Sequence, residues 1–312
     1  MNRLTDNKIV IVKRKTRLEE LVARFNTVAQ AKFYIERMGA DFSDYQKEDR
    51  TYTGAISEAV EALQWLGRVQ VVDRQYLPNF IFGKEDVVVA IGQDGIVANT
   101  LKYLDSQCLI GVNPDPARWD GILLPFTILD LRQIVPEVFT KKRPIREVTM
   151  ARVLLNDGQT MCAVNDLFIG QRTHVSSRYY LRLGDRQEQQ SSSGIIVSTG
   201  LGSTGWLKSV LHGSTSIAHR LSGERMKVGS EMRMEWDSDF LYFSVREPFV
   251  SKTSEADLVF GKITDDSPLI VVSQMPDNGV IFSDGIESDY LQFNSGMKAT
   301  VSVSDKKGRL VV

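Results

Sequence analysis

Residues 87–100 read VVVAIGQDGIVANT. The five apolar residues Val87–Ile91 are too uniformly apolar for an edge strand and describe one buried on both faces. The chain then turns on Gly92-Gln93-Asp94-Gly95 and enters a helical pattern from Ile96 to Leu104. In a strand–glycine turn–helix unit, the free N–H groups of the first helical turn form an anion site, helped by the helix dipole. No GxxxxGK[ST] occurs, so this is not a Walker loop. Asp94 is the informative residue. A carboxylate beside a phosphate site either takes a proton from an attacking hydroxyl, helps to hold a metal, or caps the helix. Spacing leaves these readings open.

On either side the first half alternates. KIVIV (8–12), VQVVD (69–73), DVVVAI (86–91) and CLIGV (108–112) read as strands. Leu18–Arg37 carries apolar residues at helical spacing, as does Ala55–Leu66, and the polar Asp41–Arg50 reads as a loop. Alternation with near-continuous apolar strands predicts a parallel, Rossmann-like sheet covered on both faces.

After Lys141-Lys142-Arg143-Pro144 the chain becomes β-rich. REVTMARVLLN and QTMCAVNDLFIG flank Asn156-Asp157-Gly158, a hairpin signal. SRYYLRL, GIIVST, LYFSV, LIVVS, VIFSD and KATVSV follow as strands, and Ser209–Arg220 hints at a helix. The reading is an α/β nucleotide-binding domain over 1–140 and an all-β, sandwich-like domain over 141–312. The basic run at the boundary reads as a solvated linker before a binding patch.

The second half has its own glycine loop, Thr199-Gly200-Leu201-Gly202-Ser203-Thr204-Gly205-Trp206. Small residues permit close approach to a ligand, Ser and Thr add hydroxyls, and Trp206 offers a face to a base. A tight β connection with Trp206 in the core explains the same residues. Asn165-Asp166 can bind the two hydroxyls of a ribose, or form an ordinary turn.

Composition narrows the function classes. The 312 residues hold 38 basic and 39 acidic side chains, which excludes a chain built mainly to bind nucleic acid. No apolar run approaches the roughly 18 residues that span a bilayer, and a strand starting at Lys8 leaves no room for a leader, so a cytoplasmic protein with no membrane partner is expected. Cys108 and Cys162 lie in apolar stretches and read as buried free thiols. His174, His212 and His219 are scattered and have no metal-ligand spacing.

Taken in order, these motifs resemble the NAD kinase family, whose pattern is GGDG, an Asn-Glu pair and a TPTGSTAY-like loop. Here they read GQDG (92–95), Asn165-Asp166 and TGLGSTGW (199–206). The mitochondrial-type enzyme is the most similar variant, through TRLEE (16–20), GVNPDP (111–116), NDLFIG (165–170), SSRYYLRL (176–183), FSVREPF (243–249) and FSDGIESD (282–289). The resemblance implies an α/β domain and a β-sandwich domain with the active site between them, in homodimers or higher assemblies. It implies phosphoryl transfer from ATP with Mg²⁺ to the adenosine ribose of NAD. Asp94 would activate the 2′-hydroxyl. Asn165 and Asp166 would hold NAD through ribose and base. Thr199, Ser203, Thr204, Gly205 and Trp206 would line the dinucleotide, and Gly92, Gln93 and Gly95 the donor.

The departures from the pattern are Gln93 for Gly, Ile96 for Thr, Asp166 for Glu, and Gly205-Trp206 for Ala-Tyr. A side chain at 93 stands where the donor phosphate approaches and makes a positive φ costlier. These changes keep two other readings open: a kinase of this fold with another alcohol acceptor, and a non-catalytic NAD(P)-binding regulatory protein.

Overall fold

The computed structural model describes residues 5–224 and 234–312. The chain divides into two compact units, Met1–Arg146 with Arg309–Val312, and Glu147–Gly308.

The first unit is α/β. Its elements are β1 (Lys8–Lys13), α1 (Arg17–Phe25), α2 (Val28–Arg37), α3 (Phe42–Leu63), β2 (Arg68–Asp73), β3 (Val87–Ile91), α4 (Asp94–Leu101), β4 (Leu109–Val112) and α5 (Leu131–Phe139). The strands pair in parallel in the order β2-β1-β3-β4. Leu310 adds to β4, also in parallel. β1 and β3 are central, which is why Ile9–Val12 and Val88–Ile91 are fully buried. Their side chains pack with Leu63, Phe126, Leu131 and Val135 into one core.

Two expectations for this unit change. The helical pattern over Leu18–Arg37 is two helices, because Asn26 adopts the left-handed conformation (φ 67°) and Thr27 caps the next helix by accepting from Gln30 N–H. The polar Asp41–Arg50 is not a loop. Asp41 is an N-cap, accepting from Ser43 N–H, and α3 starts at Phe42. Its polar residues read as loop because they turn into ion pairs. Glu48 is buried and binds both Arg14 and Arg17, while Asp44 binds Arg17 and Arg118.

The second unit begins within β5 (Ile145–Leu155) and continues with β6 (Thr160–Ala163), β7 (Asp166–Gln171), β8 (Ser177–Leu183), β9 (Arg186–Ser192) and β10 (Ile195–Ser198). α6 (Trp206–Ser222), β11 (Leu241–Val245), β12 (Phe260–Ile263), β13 (Leu269–Ser273), β14 (Gly279–Ser283), β15 (Tyr290–Gln292) and β16 (Lys298–Val311) complete the chain. One antiparallel layer runs β16-β13-β8-β9, with β5 on β16 and β6 on β5. The other runs β12-β11-β10-β7-β14-β15. Alternate residues of both layers, among them Tyr179, Leu181, Val271, Ile195, Phe243 and Ile281, form the core between them.

QTMCAVNDLFIG, which reads as one strand, is two. β6 belongs to the first layer and β7 to the second, and the chain crosses between them at Val164-Asn165. That crossing creates the site described next.

Candidate functional site

In the first unit, the loop after β3 lies at the carboxyl end of a central parallel strand, where α/β sheets bind ligands. Tyr52 of α3 fixes this point. Its hydroxyl donates to the Ile91 carbonyl (2.8 Å) and accepts from Arg14 N–H (2.9 Å). Burial pushes the Tyr52 hydroxyl up to about 12, so it stays a donor.

Gly92 takes the positive φ of the turn, 155°, while Gln93 sits at φ −112°. The side chain at 93 thus meets no backbone penalty, contrary to the expectation above. Gln93 is the N-cap of α4 and its side chain makes no capping bond. Asp94 is the first residue of the helix, not its cap. Its carboxylate accepts from Leu123 N–H at 2.8 Å. Leu123 is brought there by Gly111 of β4, where a Cβ would overlap the Leu123 carbonyl oxygen. The half-buried Asp94 and the exposed Gly95 thus stand at the open end of α4, with Asp94 held from outside its own helix. Asn113, just after β4, closes its own loop: its amide donates to the Trp119 carbonyl (2.8 Å) and accepts from Asp115 N–H (3.0 Å).

In the second unit, Asn165-Asp166 occupies the crossing between layers. Asp284, itself at φ 54°, accepts from the N–H groups of Val164 (3.0 Å) and Asn165 (2.6 Å). Its own N–H donates to the Asp166 carbonyl (2.9 Å). Asp284 of the FSDG turn (282–285) is therefore the brace of the Asn-Asp pair. Asp166 faces Ser198 across β7 and β10. Burial raises its carboxyl to about 7, the Asp284 charge adds to this, and the Ser198 hydroxyl opposes it. One of its oxygens is buried without a hydrogen-bond partner.

The second glycine loop closes on this crossing. A Cβ on Gly202 would overlap the Asn165 carbonyl, so glycine there serves contact with the protein's own backbone. Thr199, expected at the ligand, is fully buried. Its hydroxyl donates to the Val164 carbonyl (2.5 Å) and accepts from Gly202 N–H (3.2 Å). Ser203 is likewise turned onto its own loop, donating to the Gly200 carbonyl at 2.7 Å. Thr204 and Gly205 are exposed.

Trp206 opens α6 and is half-buried. Its ring stacks on Phe168 (5.9 Å between centroids, 11° between planes), and Phe168 stacks on Phe282 (4.9 Å). Phe168 follows Asp166 by two residues on β7, so both point to the face opposite the core-facing Leu167 and Ile169. A cavity of about 410 Å³ opens over these three rings. Arg172, His174 and Arg246 line it, and the Arg246 guanidinium lies 5.4 Å from the Trp206 ring. Arg246 also pairs with Glu247 at 3.6 Å. An aromatic floor with cations on the wall suits a flat heterocycle carrying phosphates.

These features define a class: an α/β unit with a glycine turn and an acid at the start of a helix, and a β-sandwich unit with a braced Asn-Asp pair beside an aromatic cavity. Comparison with known proteins adds the particular. No family model matches the chain. Over 137 residues, 43% of this chain, it is 28% identical to NAD kinase 2 of Geobacillus kaustophilus (strain HTA426), and the match spans half the length of that relative. An NAD kinase from Archaeoglobus fulgidus, solved in complex with ATP, has the same fold. That likeness has a TM-score of 0.56 and 16% identity, and covers 98% of this chain and 93% of the other. Yeast NADH kinase complexed with NADH matches with a TM-score of 0.54 and 13% identity, covering 99% and 84%. The chain thus has the fold of these kinases, and part of its sequence is similar to one NAD kinase, of which it spans about half the length.

Proposed function

We propose that the protein is an NAD kinase, transferring the terminal phosphate of ATP to the adenosine ribose 2′-hydroxyl of NAD(H). The observation that carries the proposal is Asp94, held by Leu123 N–H at the first turn of a helix that follows a buried parallel strand. A carboxylate so placed can accept the hydroxyl proton as oxygen attacks phosphorus in line, while the amides of the turn receive the phosphate's charge.

In this reading Gly92, Gln93 and Gly95 carry the donor, and Asn165 and Asp166 hold NAD through its ribose and base. Thr204, Gly205 and Trp206 lie against the dinucleotide, and Arg172 and Arg246 supply cations for its pyrophosphate. Thr199 and Ser203 shape the loop through its backbone. Among the described residues no three His, Cys, Asp or Glu side chains are grouped to hold a metal ion. In this reading magnesium arrives with the substrate, on the phosphates of ATP, where it would neutralise charge. The homodimer implied by the family resemblance and the cytoplasmic location expected from the sequence are part of the same proposal. Among the described residues no helix is long and apolar enough to cross a membrane.

The test is NADP(H) formation by purified protein, with NAD, NADH, ATP and polyphosphate varied, and with Asp94→Asn beside the wild type. The wild type is expected to make product, and the variant to lose about 100-fold or more in rate. Equal rates in the two proteins would remove Asp94 from its role. Saturable NAD binding without product would leave a binding protein or a different acceptor.

A further inference from the structure

The basic run Lys141-Lys142-Arg143 has no part in the proposed reaction. In the structure it is not a solvated linker throughout. Lys141 and Arg143 line a cavity of about 470 Å³ in the first unit, at the amino ends of β3 and β4 and thus opposite the Gly92–Gly95 turn. Val87, Val138, Phe139 and Ile145 give the cavity apolar walls, and the half-buried Cys108 faces it.

The charges around it are unbalanced. Lys84, Lys141, Arg143 and Arg309 line the cavity, against Glu85 and Asp86. Asp86 is already taken by Lys8 (3.2 Å) and by Gly83 N–H (2.7 Å). Arg143 is paired with Glu137 at 3.3 Å, and its Nε donates to the Val312 carbonyl at 2.9 Å. Arg309 donates one N–H to the Ser106 carbonyl at 2.8 Å. Lys84, Lys141 and Arg309 have no carboxylate partner among the described residues. Lys141 also holds a left-handed conformation, φ 56°, just past the end of α5, a position where glycine is the unstrained choice.

We propose that this cavity binds a phosphomonoester with an apolar body, the body lying on Val87, Val138 and Phe139 and the phosphate on Lys141 and Arg309. Three unpaired cations exceed what one carboxylate can balance, whereas a phosphate dianion suits them, and a guanidinium grips it through paired N–H donors. The volume lies within the range of small-molecule pockets, and the apolar walls supply the area that inorganic phosphate cannot use. The proposal is independent of the NAD kinase reading.

Cys108 provides the readout. Burial pushes its thiol up and Arg309 draws it down, so alkylation is slow and responds to an occupant both by cover and by neutralising Arg309. The full chain with Cys162→Ser would be alkylated with neutral iodoacetamide at alkaline pH, with phenyl phosphate as the probe. Phenyl phosphate should slow the reaction of Cys108 saturably by about fivefold or more, with half-protection in the low millimolar range or below. Inorganic phosphate and benzyl alcohol, each carrying half of the ligand's chemistry, should protect far less. Lys141→Gln with Arg309→Gln should raise the half-protecting concentration about tenfold or more. The exposed Lys84→Gln, which disturbs no packing, should raise it by a smaller factor. Absence of protection at about 10 mM phenyl phosphate would overturn the proposal. So would protection that is equal in the variants, or equal with benzyl alcohol.

Discussion

Replacing Asp166 with Asn isolates the electrostatic load at the crossing between the two β layers. Burial is the main cause that lifts the Asp166 carboxyl from 3.8 to about 7, and the neighbouring Asp284 charge adds to it. A carboxyl raised in the folded state binds more protons folded than unfolded between those two values. Its contribution to stability is therefore fully present below the unfolded value, and is lost as pH rises from about 4 to about 7. Each pH unit of separation corresponds to about 1.4 kcal/mol, so the charged carboxylate costs the wild type up to about 4 kcal/mol above pH 7. Asn keeps the size and carries no charge. Urea unfolding of the two proteins from pH 4 to pH 8 should give similar stabilities at the acid end, with the variant pulling ahead by about 2–4 kcal/mol at the other. NADP formation should fall in the same variant, as expected where a destabilising group serves a site. Parallel stability curves across the window, or a wild type that gains on the variant as pH rises, would refute the reasoning.

Gly111→Ala should displace Leu123 and release Asp94, lowering NADP formation by about 100-fold through misplacement alone, read as kcat with the fold checked by circular dichroism. Tyr52→Phe leaves the Ile91 carbonyl and the Arg14 N–H without their shared partner, and should cost about 1–3 kcal/mol in chemical denaturation. Gln93→Gly relieves no backbone strain, because φ at 93 is −112°, so its stability should change by no more than about 1 kcal/mol. A larger ATP affinity in that variant, measured by calorimetry, would then report the side chain itself.

The fold was legible where burial follows hydrophobicity. Val87–Ile91 and its parallel neighbours could be read because both faces of the central strands are covered by apolar groups. Reading failed where polar residues are buried together. The start of α3 is polar because Asp44 and Glu48 meet Arg14, Arg17 and Arg118. β9, RQEQQSS, was not read as a strand at all. It is ordered through the Gln190 and Ser192 side chains, which bond the Tyr179 hydroxyl, and through Glu188, which accepts from Leu258 N–H. At the candidate site, both glycine loops and the Asn-Asp pair stand out locally. What the sequence hid was long-range: Leu123 reaching Asp94, Asp284 bracing Asn165, and Phe168, Phe282 and Trp206 assembling from three separate segments. Thr199 looked like a ligand residue because a hydroxyl in a glycine loop carries no mark of which way it faces.

The crossing at Val164-Asn165 also bears on how occupancy would be felt. These residues are not an appendage on a finished scaffold; they are the stitch by which a single chain joins both layers, knotted by Asp284 and Thr199. A molecule gripping Asn165 and Asp166 pulls on that stitch. Opening either layer would then mean letting the molecule go, so its binding should delay melting of the whole sandwich rather than quiet one loop. The same economy leaves little slack: an insertion at this point would shift the register of β7 against β10 and β14 at once, and with it the face that Asp166 and Phe168 share.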